Sequence, residues 1–282
     1  MYKPMLAKDF DPSRVEYPVY VEPKLDGVRV VAHIDFSEDL IDLFFRSGNP
    51  VLSLEHIKEF LLDSKKDFKD AGYGDIIFLD GEVTHPDGYK TASGQSRWIH
   101  EQAPELEYSI FDAIDDGEAH MPYVDRITKL NKIEYAFTDN MWVVKVVPSL
   151  IAEDLDEVKE IYADYMAKGM EGVMIKDANA PYVEKRSFYW MKMKEELSVD
   201  IPVVGFFEGR GKYKDMLGGV IAELPATGRQ VRVGSGFTDS QRAEVWENQN
   251  DYLGMVAEIK YQYETHLGSL RHPVFKTWRT DK

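Results

Sequence analysis

Two lysine-bearing segments hold the residue types best suited to covalent chemistry. The first is Glu22-Pro23-Lys24-Leu25-Asp26-Gly27-Val28-Arg29. A lysine attacks phosphorus only as a free amine, and an ordinary pKa of about 10.4 keeps it charged at neutral pH. Neighbouring cations or a metal ion must prepare it. Asp26-Gly27 supplies a tight turn between two strands, which sets Arg29 on the side of the nearby reactive groups. A plain hairpin with an incidental lysine is the competing reading. The second segment is Trp190-Met191-Lys192-Met193-Lys194. Lys192 and Lys194, two apart on a strand, share a face. Two cations placed together call for an anion between them, a phosphate or a carboxylate. Such a pair would also disfavour a charged Lys24 nearby. A strand edge guarded by lysines is the alternative, although Trp190, Met191 and Met193 argue against free solvation. Two other leads fall away. Gly209-Arg210-Gly211-Lys212 has the composition of a phosphate-binding loop, but its spacing is wrong and Tyr213 stands where Ser or Thr should bind magnesium. The seven histidines show no zinc-ligand spacing, and His85-Pro86-Asp87-Gly88 reads as a turn.

The lysine segments belong to an ordered series that resembles the motifs of the covalent nucleotidyltransferases: DNA ligases, RNA ligases and mRNA capping enzymes. Glu22–Arg29 resembles the nucleotidyl-transfer motif, and Phe45-Arg46-Ser47-Gly48 the arginine motif that follows it. Leu79-Asp80-Gly81-Glu82-Val83 and Tyr108-Ser109-Ile110-Phe111-Asp112 are similar to the third and the aromatic motif. Glu171-Gly172-Val173-Met174-Ile175-Lys176 resembles the fourth and Trp190–Lys194 the fifth. Ser269-Leu270-Arg271-His272-Pro273-Val274-Phe275 with Arg279-Thr280-Asp281-Lys282 resembles the sixth. The series spans essentially the whole chain.

The resemblance implies roles. Lys24 would carry the nucleotide, Glu22 would accept from the adenine amino group, and Phe111 would stack on the purine, although alone it reads equally well as a core aromatic. Arg29 would bind the α-phosphate or a DNA 5′-phosphate, and Arg46 would bind phosphate too; without the series both are ordinary solvated arginines. Glu82 would bind ribose or a metal-bound water, and Glu171 would help hold the divalent ion. Lys192 and Lys194 would flank the α-phosphate. Arg271, Arg279 and Lys282 would fold over the nucleotide and orient pyrophosphate. The Ser269–Phe275 segment, Phe45–Gly48 and Thr91-Ala92-Ser93-Gly94 followed by Arg97 look most like the small phage-type, ATP-dependent DNA ligases. The cofactors so implied are ATP and Mg2+ or Mn2+; the partner is nicked double-stranded DNA, with Arg210, Lys212 and Lys214 as a basic DNA-facing loop. The start of the chain two dozen residues before Lys24 leaves no room for a nicotinamide-recognising domain, and no DNA-encircling domain is visible. A minimal, monomeric two-domain enzyme is therefore expected. A GTP-using capping enzyme and a non-catalytic nucleic-acid binder remain open alternatives.

The elements that must position these residues are legible as periodicities. Val19–Val21, Val28–Ile34, Leu40–Phe45, Ile76–Val83, Tyr108–Phe111, Gly172–Ile175 and Phe188–Met193 read as strands. Ser53 opens a helical pattern with Leu54, Ile57, Leu61 and Leu62 on one face; Tyr123–Phe137 and Asp154–Met166 read as helices. Beyond Ser198 the texture changes to short strands at Val203–Phe207, Gly219–Ala222, Gln230–Val233 and Met255–Tyr261, with one helix at Asp239–Asn248. That pattern suits a small Greek-key barrel. The expected fold is α+β: a nucleotidyltransferase (adenylation) domain over residues 1–198, with antiparallel sheets and flanking helices, then an OB-fold β-barrel over 199–282.

Composition bounds these readings. In 282 residues, 44% hydrophobic content is ample for packed cores, and no apolar run approaches a membrane span. The first residues lack the apolar stretch of a secretory signal. The absence of cysteine excludes disulfides, thiolate zinc sites and cysteine nucleophiles, and suits the cytoplasm of a bacterial or phage-infected cell. A net charge of -16 runs against a polyanionic partner, but its distribution softens the objection. Residues 199–282 carry 11 Lys/Arg and 11 Asp/Glu, so the whole excess lies before them, in stretches such as Asp35–Asp42 and Asp63–Asp75.

Overall fold

The computed structural model describes residues 3–134, 137, 143–195, 197–261, 264–265 and 268–279. The chain divides into two compact units, Met1–Lys194 and Glu195–Lys282. Ser198 lies just inside the second unit, paired with Lys260 in the ladder that opens it.

The first unit is built from two five-stranded sheets. One has the order β1 (Leu6–Asp9), β10 (Arg186–Lys194), β9 (Gly172–Asp177), β2 (Val19–Pro23) and β8 (Leu150–Ala152). The other runs β4 (Leu40–Phe45), β3 (Val28–Asp35), β5 (Ile76–Thr84), β6 (Glu107–Asp115) and β7 (Val144–Val146). The outer face of the second sheet is covered by α1 (Glu55–Asp63), α2 (Lys65–Asp70) and α4 (Tyr123–Glu134). In α4, Tyr123, Arg126, Ile127, Leu130 and Ile133 are buried, the spacing of one helical face. The other sheet packs Val21, Val173, Ile175 and Met191 against Val158 and Tyr165 of α5 (Leu155–Ala167). Between the sheets, Met5, Tyr182 and Trp190 meet Val31, Phe78 and Ile114.

Ser53 does not cap α1. It is buried, and its hydroxyl donates to the Ser96 carbonyl at 3.1 Å, so the helix starts at Glu55 without a side-chain cap. The short strands β1, β7 and β8 and the helices α2 and α3 (Tyr89–Gln95) have no counterpart in the periodicities.

In the second unit the order is β13 (Arg229–Val233), β12 (Leu217–Leu224), β11 (Leu197–Glu208), β14 (Val256–Tyr261) and β15 (Val274–Arg279). β11 serves both halves: residues 197–202 pair with β14, and 203–208 with β12. The sheet edges meet at one parallel bridge, Ser235 with Val274, so the architecture is OB-like without being a closed barrel. α6 (Asp239–Glu247) begins in a capping box formed by Thr238 and Gln241. Its buried Arg242 donates to the carbonyls of Leu217, Gly218 and Gly234 at 2.7–2.9 Å, which seals that side of the sheet.

Candidate active site

Lys24 stands where the two sheets of the first unit meet. β2 is buried along its length and ends at Pro23. The Lys24 amide then donates to the Gly172 carbonyl at 2.8 Å, tying the end of β2 to the start of β9. Gly172 has φ +154, and a Cβ there would lie 2.2 Å from the Met193 carbonyl oxygen. Only glycine lets β9 and β10 approach so closely at this point. The consequence is chemical: Glu171, one residue earlier, forms an ion pair with the Lys24 ammonium. Gly27 does similar work, because a Cβ on it would sit 2.3 Å from the Val83 carbonyl oxygen. The Asp26-Gly27 turn is thereby pressed onto β5, and Glu82 is brought up to Lys24 and Glu171.

A cavity of about 700 Å³ opens at this junction. Its inner wall is a buried polar network framed by aromatic rings. Glu22 is 1% exposed and pairs with Lys176 at 2.8 Å; it also accepts from the hydroxyls of Tyr123 and, at 3.3 Å, Ser149. Lys176 donates further to the Phe111 carbonyl at 2.7 Å. Its ammonium lies 4.5–5.0 Å from the ring centres of Trp190, Tyr123 and Phe111. Burial pushes the Glu22 carboxyl up and the Lys176 amine down, each against the pull of its partner. Phe111 is half-buried and lines the cavity, so part of its ring is presented to a flat apolar ligand.

The opposite wall is charged. Arg29 grips Asp80 with both ends of its guanidinium fork, Nε to Oδ1 at 2.8 Å, and lies 5.3 Å from the Phe111 ring centre. Burial opposes its charge, but Asp80 outweighs burial and holds the group firmly protonated. Asp80 is itself fully buried and accepts from Tyr182 at 2.6 Å. Among the described residues Glu82 has no ion-paired or hydrogen-bonded partner of that kind. Burial pushes its carboxyl up to about 7, with Arg29 and Lys24 opposing and Asp80 and Glu171 reinforcing. Farther out, Arg46, Arg97, Arg186 and Lys192 line the mouth.

The structure therefore gathers Glu22, Lys24, Arg29, Arg46, Glu82, Phe111 and Lys192 around one cavity, with Glu171 touching Lys24. The lysine pair is arranged differently from the expectation. Lys192 pairs with Asp9 at 3.1 Å, Lys194 sits opposite Gly172 in the ladder outside the cavity lining, and the ionic partner of Lys24 is an acid. Arg271 and Arg279 belong to the second unit, where Arg279 pairs with Asp200 at 2.9 Å and Glu258 at 3.4 Å. Lys282 lies outside the described residues. Arg210, Lys212 and Lys214 are exposed around a single turn of 3-10 helix, with Lys212 paired to Asp239 at 2.6 Å. No group of three or more His, Asp or Glu among the described residues could hold a metal by itself. Asp80, Tyr123 and Lys176 were not expected at the site. The signal for Lys176 was a charge inside an otherwise apolar strand, which requires a buried partner.

Comparison with known proteins gives a consistent picture. The ATP dependent DNA ligase domain family matches residues 4–194, and the DNA ligase OB-like domain family matches 208–279. The DNA ligase of Enterobacteria phage T4 is 24% identical over 311 residues, covering 91% of this chain and 63% of the relative. The Archaeoglobus fulgidus DNA ligase is 30% identical over 246 residues, covering 80% of this chain and 42% of the relative. The chain thus spans less than two thirds of the length of these relatives. Among solved structures, the protein designated Pmar-Lig_Pre is 26% identical with a TM-score of 0.86, covering 100% of this chain and 68% of its own. A Lig E DNA ligase with a minimal DNA-binding scaffold shares the fold at 22% identity and TM-score 0.72, each chain covered to 99–100%.

Proposed function

The chain belongs to the ATP-dependent DNA ligase family, and we propose that Lys24 takes AMP from ATP as a covalent adduct, which the protein uses to seal nicks in duplex DNA. One observation carries this reading. Lys24 ion-pairs with Glu171 while its amide donates to the Gly172 carbonyl, and it lines the cavity between the buried, ring-framed pocket and the charged wall of Arg29 and Glu82. The pocket fits a purine, with Phe111 as its stacking face and the Glu22–Lys176 pair as its polar floor. The charged wall fits phosphates.

In the first step the Lys24 Nζ gives up a proton and bonds to the α-phosphorus, while the bond from that phosphorus to the bridging oxygen breaks and pyrophosphate leaves. In the second, an oxygen of the DNA 5′-phosphate attacks the same phosphorus; the N–P bond breaks and the amine regains a proton. In the third, the 3′-hydroxyl loses its proton and bonds to the DNA phosphorus, and AMP departs. Arg29, Arg46 and Lys192 supply positive charge to phosphate oxygens throughout. Two adjacent carboxylates beside a phosphate site suit a hard divalent cation that draws its remaining ligands from phosphate and water. Glu82 and Glu171 would hold Mg2+ or Mn2+, which neutralises charge on the phosphates. The C-terminal segment bearing Arg271, Arg279 and Lys282 would close over the nucleotide through a hinge near Ser198 and then swing away. The exposed Arg210–Lys214 turn would meet DNA phosphates, and the working species would be a monomer in the cytoplasm.

Purified protein incubated with divalent cation and α-labelled ATP or GTP, then denatured, should retain label from ATP alone. Lys24→Ala should lose it. Label of equal intensity in that variant, or label from GTP, would overturn the assignment.

A further inference from the structure

After α3 the chain makes a short excursion, Arg97-Trp98-Ile99-His100-Glu101, that exposes large apolar side chains beside the cavity mouth. Trp98 is 37% exposed and Ile99 67%, and the neighbouring Leu52 is 45% exposed. This exposure is not slack. Ser53 accepts from Ala103 at 2.9 Å and donates to Ser96 at 3.1 Å, gripping both ends of the excursion. Gln102 donates to the Leu52 carbonyl and accepts from the Glu55 amide, both at 3.0 Å. The loop is clamped with Ile99 and part of Trp98 turned outward, an apolar surface that burial against a partner would stabilise. Its base is cationic: Arg97 lies 5.5 Å from the Phe45 ring centre and lines the cavity mouth together with Arg46.

An apolar tip rising from a cationic rim matches one kind of ligand, a stacked array of bases edged by phosphates. A nick adds a specific opening. One backbone is interrupted there, so separating the flanking base pairs costs less than in intact duplex, and an apolar wedge gains most at that step. We propose that Trp98 and Ile99 form a wedge that packs against the base pairs flanking the nick and so discriminates nicked from intact DNA. This rests on the ligase reading above. Arg97 and Arg46 anchor the adjoining phosphates, while the wedge reads the interruption.

The test uses the full chain carrying Trp98→Ala and Ile99→Ala together, substitutions at exposed positions outside the nucleotide cavity. Binding is measured on a nicked duplex and on the same duplex sealed, at one salt concentration. A 2-aminopurine beside the nick reports unstacking. The variant should bind nicked DNA about ten-fold more weakly, as expected for losing one good stacking contact. Its affinity for sealed duplex should be unchanged, the 2-aminopurine signal should fall, and self-adenylation with ATP should be intact. An equal loss on both duplexes, no loss on either, or a defect in self-adenylation would each overturn the wedge. Failure of the unmodified protein to form an adenylate would instead overturn the ligase reading.

Discussion

Replacing Glu82 by glutamine should make the protein more stable, and increasingly so as pH rises. The unfolded chain releases this proton near pH 4.5, whereas the folded chain keeps it to about 7. Between those values the folded state holds the extra proton, so each pH unit upward costs it about 1.4 kcal/mol. The loss stops once the folded group ionises as well. The full penalty is about 3 kcal/mol, of which about 2.5 kcal/mol develops between pH 5 and pH 8. Glutamine keeps the shape of the protonated acid and carries no such penalty. For a unit of this size, 1 kcal/mol moves the melting temperature by about 2–4 °C. Scanning calorimetry of both proteins in a metal chelator should therefore show the variant gaining about 5–10 °C over the parent between pH 5 and pH 8, with most of the gain below pH 7. Other titrating groups cancel in the difference. A constant gap, or one that closes with pH, would mean that Glu82 is already ionised at pH 5 through Arg29 or Lys24. That result would refute the claim that burial dominates its chemistry. The expected result would place a stability cost at an acid of the proposed site, as is common where function needs a desolvated charge.

Two further outcomes follow from the same structure. Lys176→Met leaves the Glu22 carboxylate buried without its cation and should cost about 3–5 kcal/mol in urea unfolding. Adding Glu22→Gln to it should recover most of that loss; a double variant as unstable as the single one would show that the network acts through packing instead. Because the proposed DNA binding rests on exposed cations pairing with phosphates in a chain of net charge -16, nick sealing should fall with added salt, and a flat response up to several hundred millimolar would contradict a binding mode built on phosphate contacts.

The helices of the first unit's core were readable because one buried face imposes a period, and strands such as β2 and β5, buried on both faces, because apolar residues run together in them. The strand Val28–Asp35 alternates except at Val31, which is buried on its other face, and α4 repeats every third or fourth residue. β1, β7 and β8 are only three or four residues long, too short to show a period, and exist because longer neighbours offer them a ladder. The site residues were readable for a different reason. Glu82 and Glu171 sit beside glycines and Lys24 lies three residues before one, and the close approaches at Gly27, Gly81 and Gly172 leave a composition signature as well as a contact. Asp80 flanks Gly81 as well, but nothing in the composition says which cation it holds, and Tyr123 leaves no such mark. These two and Lys176 are each held by a partner distant in sequence: Lys176 by Glu22, Asp80 by Arg29, and Tyr123 by Glu22. What a single sequence does carry is the cost of such residues. A lysine between Ile175 and Asp177 on a buried strand must find a carboxylate, and the strand beside it offers Glu22. The pairing of β2 with β9, a long-range fact, turns that requirement into a contact.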